Sequence, residues 1–496
     1  MTRYLLAIDQ GTTSTRVMIV DDQGQVVSSF HQEFTQYFPQ DGWVEHDGME
    51  IMRTVMNTMG QALNSLPTGV FPVAVGITNQ RETTLIWDRE SGNPVYPAIV
   101  WQDRRTADLC REMKQDGHEE MVSEKTGLLL DPYFSATKIK WILDNVAGVR
   151  ERARRGELAF GTVDSFILWH LTGAQVHATD VTNASRTLLF NIRDMAWDKE
   201  LLRLFDIPQE LMPKVHACDH HFGDVEKGLF GRVMPITAIA GDQQAALIGQ
   251  NCFKAGQIKC TYGTGGFIMM NTGDKIIRSQ NRLLTTVAYQ IQGKVAYALE
   301  GSFFSAGSAV QWLRDGLRII ENISETEGLA RAIDSSKGVV MVPAFTGLGA
   351  PHWNPDARGT LFGLTRDTGV AEIVRATLES VGFQTADLLD VMQKDAHMSF
   401  NSLKVDGGMV GNAWLLQFLA DIMRVDIVRP RVADTTAFGV ALLAGVGSGL
   451  FDTVNKLSVF HHYSDVTKPE MLASEIILLK RNWKNAVKST NYYAKK

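Results

Sequence analysis

The chain has 496 residues, which is too long for one compact core, so its length predicts at least two domains. Hydrophobic residues make up 45% of the chain and charged residues 21%, as is typical of a folded, soluble protein. A net charge of -6 argues against binding to nucleic acid or to an anionic membrane surface. The four cysteines are too scattered for a zinc site or a disulfide framework, so we expect a cytoplasmic protein.

The N-terminal segment predicts two buried strands joined by a polar turn. One apolar run extends from Tyr4 to Ile8, and a second extends from Val17 to Val20. The turn between them contains a glycine and several hydroxyl side chains, in particular Gly11, Thr12, Thr13 and Ser14. Backbone N–H groups and hydroxyls in such a turn can bind a phosphate, and the guanidinium of Arg16 could add a contact. The alternative is an ordinary hairpin, which also favours glycine and small polar residues.

An acidic residue, Asp9, stands at the end of the first predicted strand, just before the turn. Its carboxylate would repel a phosphate unless a divalent cation lay between the two groups. Mg²⁺ keeps much of its water shell in proteins and is often bound through carboxylates and substrate phosphates. Asp9 is therefore a candidate Mg²⁺ ligand that acts through water.

Strand-like and helix-like stretches alternate along the chain, which favours α/β layers over a sandwich or a helical bundle. A second turn of the same kind, Gly263 to Gly266, lies within the apolar segment from Ile258 to Gly273. Two such turns, each near the start of one half of the chain, predict a duplication with domains at residues 1–250 and 251–496. A cleft between these domains would place both turns opposite one ligand. Chance repetition of a short glycine-threonine turn is the alternative.

Asp242 follows a short apolar run and begins an alanine-rich helix near the predicted junction of the two halves. An aspartate at a helix start commonly caps the helix, which is the simplest interpretation. At the junction, however, its carboxylate could accept a proton from an attacking hydroxyl. The usual phosphate-binding P-loop, G-x-x-x-x-G-K-[ST], is absent from the sequence, so that class of kinase is excluded.

Further glycines in the second half could let a nucleotide approach the backbone. In "LEGSFFSAGSAVQWLRDGL", Gly307 and Gln311 are one helical turn apart, and in "VDGGMVGNAWLLQFLADI" Asn412 could reach the edge of a base. Helix packing explains each of these residues as well. The glycine- and alanine-rich run from Thr435 to Phe451 predicts a buried helix, because it is too short and too interrupted to span a membrane.

The remaining features have structural interpretations. The pairs His220-His221 and His461-His462 are interpreted as solvated loop residues rather than metal ligands. The segment "EIILLKRNWKNAVKS" predicts a helix near the end of the sequence, and the basic "YYAKK" that follows is expected to fray.

Four motifs, in chain order, resemble the FGGY family of carbohydrate kinases, which belongs to the actin-like ATPase superfamily. They are Asp9-Gln10-Gly11-Thr12-Thr13, Gly241-Asp242-Gln243-Gln244, Tyr262-Gly263-Thr264-Gly265 and Asp406-Gly407-Gly408. The resemblance covers nearly the whole chain and implies two duplicated ribonuclease-H-like domains with a cleft between them. Longer segments, such as "GITNQRETT", "VWQDRRT" and "NASRTLLFNI", are similar to those of family members that phosphorylate glycerol.

The resemblance implies that ATP phosphorylates glycerol to sn-glycerol 3-phosphate, with Asp242 as the general base. It implies a glycerol site formed by Arg81, Glu82, Trp101, Tyr133, Asp242, Gln243 and Phe267. It implies an ATP site formed by Thr12, Thr13, Ser14, Arg16, Thr264, Gly307, Gln311, Gly408 and Asn412. Mg²⁺ is expected at Asp9 and Asp242, and the oligomeric state is expected to be a homodimer or a homotetramer.

The chemistry of the implied acceptor site suits a small triol, which has hydroxyls on one edge and C–H groups on the other. Charged donors and acceptors such as Arg81 and Glu82 would bind the hydroxyls, and an aromatic wall would contact the carbons. The alternatives are a surface ion pair for Arg81 and Glu82, and core packing for Trp101 and Phe267. They would leave no acceptor site.

Two other functions fit the same resemblance. One is phosphorylation of another small polyol or a ketose on the same fold, which a panel of substrates would distinguish. The other is a non-catalytic actin-like protein, either a filament subunit or a chaperone ATPase. That function predicts ATP hydrolysis without an acceptor and leaves Arg81, Glu82 and Asp242 without a role.

Overall fold

The computed structural model describes residues 2–461 and 463–494. His462 and the last two residues of the predicted frayed end, Lys495 and Lys496, lie outside the described residues. Within the described ranges, no helix is both long enough and apolar enough to cross a bilayer.

The first large sheet has six strands, all from the first half of the chain. They are β1 (Tyr4–Gln10), β2 (Ser14–Asp21), β3 (Val26–Glu33), β4 (Ala74–Asn79), β5 (Gly223–Val225) and β6 (Met234–Gly241). Their spatial order is β3-β2-β1-β4-β6-β5. The pairs β3-β2, β2-β1 and β6-β5 are antiparallel, whereas β1-β4 and β4-β6 are parallel.

The second large sheet has seven strands, all from the second half. They are β7 (Ile258–Tyr262), β8 (Gly266–Gly273), β9 (Leu284–Ile291), β10 (Lys294–Phe303), β11 (Ser402–Asp406), β12 (Asp426–Pro430) and β13 (Tyr463–Thr467). Their spatial order is β9-β10-β8-β7-β11-β12-β13. From β10 onward this order and every strand direction repeat the first sheet, with β9 as an added edge strand. The predicted duplication is therefore confirmed.

In the described part of the chain, five short strand pairs lie outside these sheets. They are Glu45–His46 with Ala98–Ile99, Leu85–Asp88 with Leu158–Gly161, Ala178–Asp180 with Lys214–His216, Phe190–Asn191 with Ala196–Trp197, and Val340–Val342 with Thr360–Phe362.

Helices surround both sheets. They are α1 (Gly48–Asn64), α2 (Ala107–Gln115), α3 (Glu119–Thr126), α4 (Ser135–Asn145), α5 (Val149–Arg154), α6 (Val163–Leu171), α7 (Val181–Ala184), α8 (Lys199–Leu204), α9 (Lys227–Phe230), α10 (Asp242–Gly249), α11 (Gly307–Asp315), α12 (Glu325–Arg331), α13 (Val370–Ala396), α14 (Ala413–Met423), α15 (Thr435–Gly447) and α16 (Ala473–Tyr493). Short 3₁₀ helices span Gln209–Leu211, Gly408–Gly411 and Val454–Phe460.

The helix α1 illustrates how sequence places these elements. The side chain of Asp47 caps its start by accepting hydrogen bonds from the backbone N–H groups of Met49 and Glu50. Residues Ile51, Val55 and Met59, spaced at one helical turn, are fully buried in a cluster that includes the first sheet. One polar face and one apolar face thus fix which side of α1 meets the sheet.

The helix α15 belongs to the second half of the chain but packs on the first sheet. Its Val440 and Leu442 share a buried cluster with Leu5 and Ala7 of β1. Where α15 crosses α10, the backbones of the two helices are in contact. A Cβ on Gly439 would lie 2.0 Å from the carbonyl oxygen of Ala245, so any residue other than glycine would clash at this position. As predicted, α15 is a buried helix that packs closely through its small residues.

One interpretation of the histidines is wrong. His461 is half-buried rather than a free loop side chain: its ring nitrogens lie 2.7 Å from the carbonyl oxygen of Leu457 and 3.1 Å from that of Ile248. Burial lowers the pKa of His461. His220 and His221 are both exposed, as interpreted, and the ring of His220 stacks on that of His216 at 4.0 Å.

Candidate active site

The first polar turn joins β1 to β2 and is closed by one short backbone hydrogen bond. The N–H of Gly11 donates to the carbonyl oxygen of Ser14 over 2.9 Å. Thr13 is exposed at the tip, and Thr12 and Ser14 are half-buried. The indole N–H of Trp101 donates to the hydroxyl of Thr12 over 3.0 Å, which ties the turn to the aromatic wall described below.

The second polar turn joins β7 to β8 and supports the start of α11. The carbonyl oxygen of Thr264 accepts hydrogen bonds from the N–H groups of Ala306 and Ser308 at 2.9 and 3.1 Å. A Cβ on Gly307 would lie 2.7 Å from the carbonyl oxygen of Gly263, so the close approach requires glycine. The structure thus brings Thr264 and Gly307 together, and Gln311 lies exposed one turn further along α11.

The double glycine after β11 lies beside the second turn. Gly407 has a φ of +94°, and a Cβ there would lie 2.3 Å from the carbonyl oxygen of Tyr262. Gly408 begins the 3₁₀ turn that leads to Asn412. The amide of Asn412 already has partners at both ends: its oxygen caps α14, and its nitrogen donates to the hydroxyl of Thr326 over 3.2 Å. A contact between Asn412 and a base stays a prediction.

A buried cluster of charged side chains lies where the two halves of the chain meet. Arg81 Nε is 3.0 Å from Asp242 Oδ1 and 3.9 Å from Glu82 Oε1. The other end of the Arg81 guanidinium donates two hydrogen bonds, of 2.7 and 3.0 Å, to the carboxylate of Glu300. Arg186 donates to Glu82 over 2.6 Å and to Glu300 over 3.0 Å. The interpretation of Arg81 and Glu82 as a surface pair is wrong, because both side chains are only 1% exposed.

The charges in this cluster stabilise one another. Burial alone would raise the pKa of Glu300, but Arg186 and Arg81 outweigh it and lower that pKa to about 2. Burial would likewise lower the pKa of Arg81, yet Glu300 and Glu82 hold it above its ordinary value. Glu82 has a φ of +62°, a strained conformation for a residue with a side chain, and such strain concentrates at functional sites.

Asp242 is the accessible acid of the cluster. It is the first residue of α10, and its side chain is 30% exposed, against 1% for Glu82 and 2% for Glu300. The N-cap residue of α10 is Gly241 and not Asp242, so no side chain caps this helix. A Cβ at Gly241 would lie 2.7 Å from the Arg81 side chain, so the glycine lets Arg81 reach Asp242.

Three aromatic rings form a wall beside the cluster. The ring of Trp101 meets those of Tyr133 and Phe267 edge-on, with centroids 5.6 and 6.2 Å apart. The guanidinium of Arg186 lies 5.7 Å from the Tyr133 ring, which joins the wall to the charged cluster. Because Trp101 also bonds Thr12 and Phe267 follows the second turn in β8, the wall connects both polar turns.

Gln243, next to Asp242, is held by a buried lysine that sequence reasoning missed. The ammonium group of Lys259, in β7, donates a short hydrogen bond to the side-chain oxygen Oε1 of Gln243. It donates another, of 2.9 Å, to the hydroxyl of Thr261. Burial lowers the pKa of this lysine. Arg186 and Glu300 were also missed. The signal that could have found Lys259 and Glu300 is a charged residue within an otherwise apolar strand.

The acid at the end of β1 lies in a region of like charge. Burial raises the pKa of Asp9 to about 7; Arg16 opposes the shift, while Asp242 and Asp434 reinforce it. The guanidinium of Arg16 forms a short ion pair with Asp434, from the other half of the chain. In the structure Arg16 is thus bound to a carboxylate, and its contact with a phosphate stays a prediction.

The duplicated sheets and the shared charged cluster define a two-domain α/β enzyme fold of the kinase type. The chain belongs to the FGGY family of carbohydrate kinases: the N-terminal domain of that family matches residues 4–249, and its C-terminal domain matches residues 258–448. Sequence and structure therefore confirm the family and fold class that the motifs predicted.

Named relatives are similar to this chain over almost their whole length. The glycerol kinase of Ectopseudomonas mendocina is 57% identical over 98% of this chain and 99% of its own. Glycerol kinase 1 of Pseudomonas aeruginosa is 56% identical with the same coverage. Among solved structures, the glycerol kinase of Plasmodium falciparum with ADP has a TM-score of 0.93 at 36% identity, covering 99% of this chain and 98% of that one. A gluconate kinase from Lactobacillus acidophilus, at 22% identity and a TM-score of 0.89, covers 100% of this chain and 99% of its own and shows the same fold.

Proposed function

We propose that this protein transfers the γ-phosphate of ATP to glycerol, which gives sn-glycerol 3-phosphate and ADP. Glycerol as the acceptor is supported by the two bacterial glycerol kinases, which are 57% and 56% identical to this chain. ATP as the donor is supported by the similar Plasmodium falciparum structure, which contains ADP.

The acceptor binds between the charged cluster and the aromatic wall. Its hydroxyl groups bond to Arg81, Glu82 and Gln243, and its carbon atoms lie against Trp101 and Phe267. Tyr133 closes the pocket where the charged cluster meets the aromatic wall. The single observation that carries this proposal is Asp242: an accessible carboxylate, held 3.0 Å from a buried arginine, at the meeting point of the two domains.

Asp242 accepts the proton of the terminal hydroxyl as that oxygen attacks the γ-phosphorus. The new bond forms between the glycerol oxygen and phosphorus, and the bond from phosphorus to the β,γ-bridging oxygen breaks, so ADP leaves. Arg81 orients the Asp242 carboxylate for this step. The hydroxyls and amides of the two turns, including Thr12, Thr13, Ser14 and Thr264, bond the phosphate oxygens, and Arg16 adds charge if it leaves Asp434.

The nucleotide extends along the second turn. Gly307, Gly408, Gln311 and Asn412 line its path, and the glycines leave the backbone uncovered there. The close approaches at Gly307 and Gly407 support this path, because only glycine permits them.

Mg²⁺ fits beside Asp9 and Asp242. Among the residues that the structure describes, no three His, Cys, Asp or Glu side chains are close enough to hold a metal alone. This suits Mg²⁺, which takes most of its ligands from water and substrate phosphates. The pKa of Asp9, raised to about 7 by burial, also supports a cation there, since a cation would favour the charged carboxylate. When bound, Mg²⁺ would neutralise charge on the phosphates, and chelation with EDTA should abolish turnover until Mg²⁺ is restored.

An assay of ADP release with and without glycerol tests the proposal. We expect ADP formation to depend on glycerol and the product to be sn-glycerol 3-phosphate by ³¹P NMR. ATP hydrolysis that is independent of glycerol would instead favour an actin-like ATPase without an acceptor. Erythritol, xylulose and gluconate at matched concentrations test the other acceptors, and a preference for any of them would replace glycerol in the proposal.

The cellular location and the assembly also belong to the proposal. The scattered free cysteines, all four of them buried in the structure, support a cytoplasmic protein. Family resemblance supports a homodimer or a homotetramer, and light scattering after size-exclusion chromatography would distinguish the two.

A further inference from the structure

Glu300 is a buried acid that belongs to the second domain but binds residues of the first. It lies in the strand β10 and is 2% exposed. Its carboxylate accepts two hydrogen bonds from Arg81, of 2.7 and 3.0 Å, and a third, of 3.0 Å, from Arg186. The residues are separated by 219 and 114 positions along the chain. These bonds therefore exist only when the two halves are in contact.

Each of the two arginines also holds an acid of the proposed acceptor site. Arg81 uses its Nε against Asp242 at 3.0 Å, and Arg186 uses its Nε against Glu82 at 2.6 Å. Glu300 accepts from other nitrogens of the same two groups, Nη1 and Nη2 of Arg81 and Nη2 of Arg186. A guanidinium is planar and its donors are rigidly arranged, so fixing one edge of Arg81 fixes the direction of the edge that faces Asp242.

We propose that Glu300 is a positioning residue for the acceptor site, supplied by the second domain. It holds Arg81 in contact with Asp242 and Arg186 in contact with Glu82. The acceptor site is therefore complete only when the domains are docked. Acceptor binding and domain docking are then thermodynamically linked, because each stabilises the other. This inference rests on the proposed function, since it concerns the acceptor of that reaction.

The same bonds could serve only to hold the fold together. In that case the loss of the Glu300 charge would lower stability and would not distinguish one substrate from the other. The positioning role predicts an unequal effect: both arginines that Glu300 binds also contact acids of the proposed acceptor site, whereas Thr264 and Gly307 belong to a separate set of backbone contacts.

The test is Glu300→Gln, which keeps the shape of the side chain and removes its charge. We expect the KM for glycerol to rise by roughly 10- to 100-fold, because charged hydrogen bonds to Arg81 are lost. The KM for ATP should change by less than about threefold. The matched control is Glu379→Gln in α13, a carboxylate that is 3% exposed and bonded to Arg375 over 3.0 Å. It should lower the melting temperature and leave both KM values near those of the wild type.

Glu300→Asp provides a second variant if the Gln variant does not fold. It keeps the charge but is one methylene shorter, so it cannot hold both guanidinium groups at their present positions; we expect a glycerol KM between those of the wild type and the Gln variant. The stabilisation of each folded variant by glycerol, measured as a shift in melting temperature, should fall in the same order.

An unchanged glycerol KM in the folded variants, or equal increases in both KM values, would overturn the inference. Failure of the proposed function has a different signature, since the wild-type protein itself would then show no glycerol-dependent ADP release.

Discussion

Arg81 and Asp242 form an ion pair of 3.0 Å in which one partner is buried and the other is partly exposed. The arginine comes from the loop after β4, and the aspartate begins α10, so two neighbouring strands of the first sheet deliver them to the same edge. A carboxylate that is anchored on one side and open on the other can meet a small alcohol in a defined orientation. The first prediction tests that carboxylate.

Asp242→Asn should lower kcat by at least about 100-fold, because an amide cannot accept the proton of the attacking hydroxyl. Arg81 keeps Glu300 as a partner, so the variant should still fold and bind ADP. Turnover is measured by coupled ADP release and ADP binding by calorimetry. Asp108→Asn is the matched control: Asp108 also lies in the first turn of a helix but is exposed and remote from the cluster, and its replacement should leave kcat unchanged. Wild-type turnover in Asp242→Asn would refute its role as the base.

Trp101→Phe should separate the two contacts of Trp101. The variant keeps an aromatic ring for the wall but loses the indole hydrogen bond to Thr12. A hydrogen bond of this type contributes about 1 kcal/mol, so we expect the KM for ATP to rise by several-fold. Trp101→Ala should in addition raise the KM for glycerol, because the wall itself is removed. Steady-state kinetics with each substrate varied in turn would check both; no change in either variant would exclude Trp101 from the site.

Asp9→Asn should stabilise the metal-free protein in a pH-dependent way. The pKa of Asp9 is about 7 in the fold, against an ordinary value of about 4 in the unfolded chain. Between these values the folded state holds the extra proton, so the wild type loses stability as the pH rises from about 4 to about 7. Asparagine does not titrate. The melting temperature of the variant minus that of the wild type, measured in EDTA, should therefore increase over this range and stay constant above it; a difference that decreases with pH would contradict the assignment.

Gly439→Ala should destabilise the protein by at least about 2 kcal/mol, because its Cβ would lie 2.0 Å from the carbonyl oxygen of Ala245 and would push α15 away from α10. Chemical denaturation monitored by circular dichroism measures this free energy. Gly60→Ala is the control: Gly60 also lies within a helix, but its Cβ would meet nothing within 4 Å. Alanine should there stabilise the fold by about 0.5–1 kcal/mol. Equal effects of the two changes would show that the helix crossing tolerates a larger residue.

The duplicated fold could be predicted because its signals are local. Each copy begins with two apolar strands and a glycine-hydroxyl turn, and the turns at Gly11 and Gly263 can be identified within about twenty residues of sequence. Resemblance to a family then assigned roles to residues, Trp101 and Phe267, that otherwise fit core packing. The structure brings those residues together, yet their contacts with substrates are still predictions.

The pairing of Arg81 with Glu300 and of Arg16 with Asp434 could not be predicted, because the partners are distant in sequence. Arg81 and Glu300 are 219 positions apart, and Arg16 and Asp434 are 418 apart. Their pairing depends on how two sheets dock, which no local pattern encodes. The sequence contained one usable signal, the presence of Lys259 and Glu300 in apolar strands, since a buried charge requires a partner or a function.

The packing of α15 on the first sheet has a consequence for synthesis on the ribosome. The strand β1 is translated long before α15, the helix that covers Leu5 and Ala7 and ends only at Gly447. Until then one apolar face of the N-terminal sheet lacks its native cover, even though every strand of that sheet has left the ribosome. The nascent chain must therefore keep this face from aggregating while more than 190 further residues are translated after Gly249. The packing of β1 is therefore completed long after β1 itself has been translated.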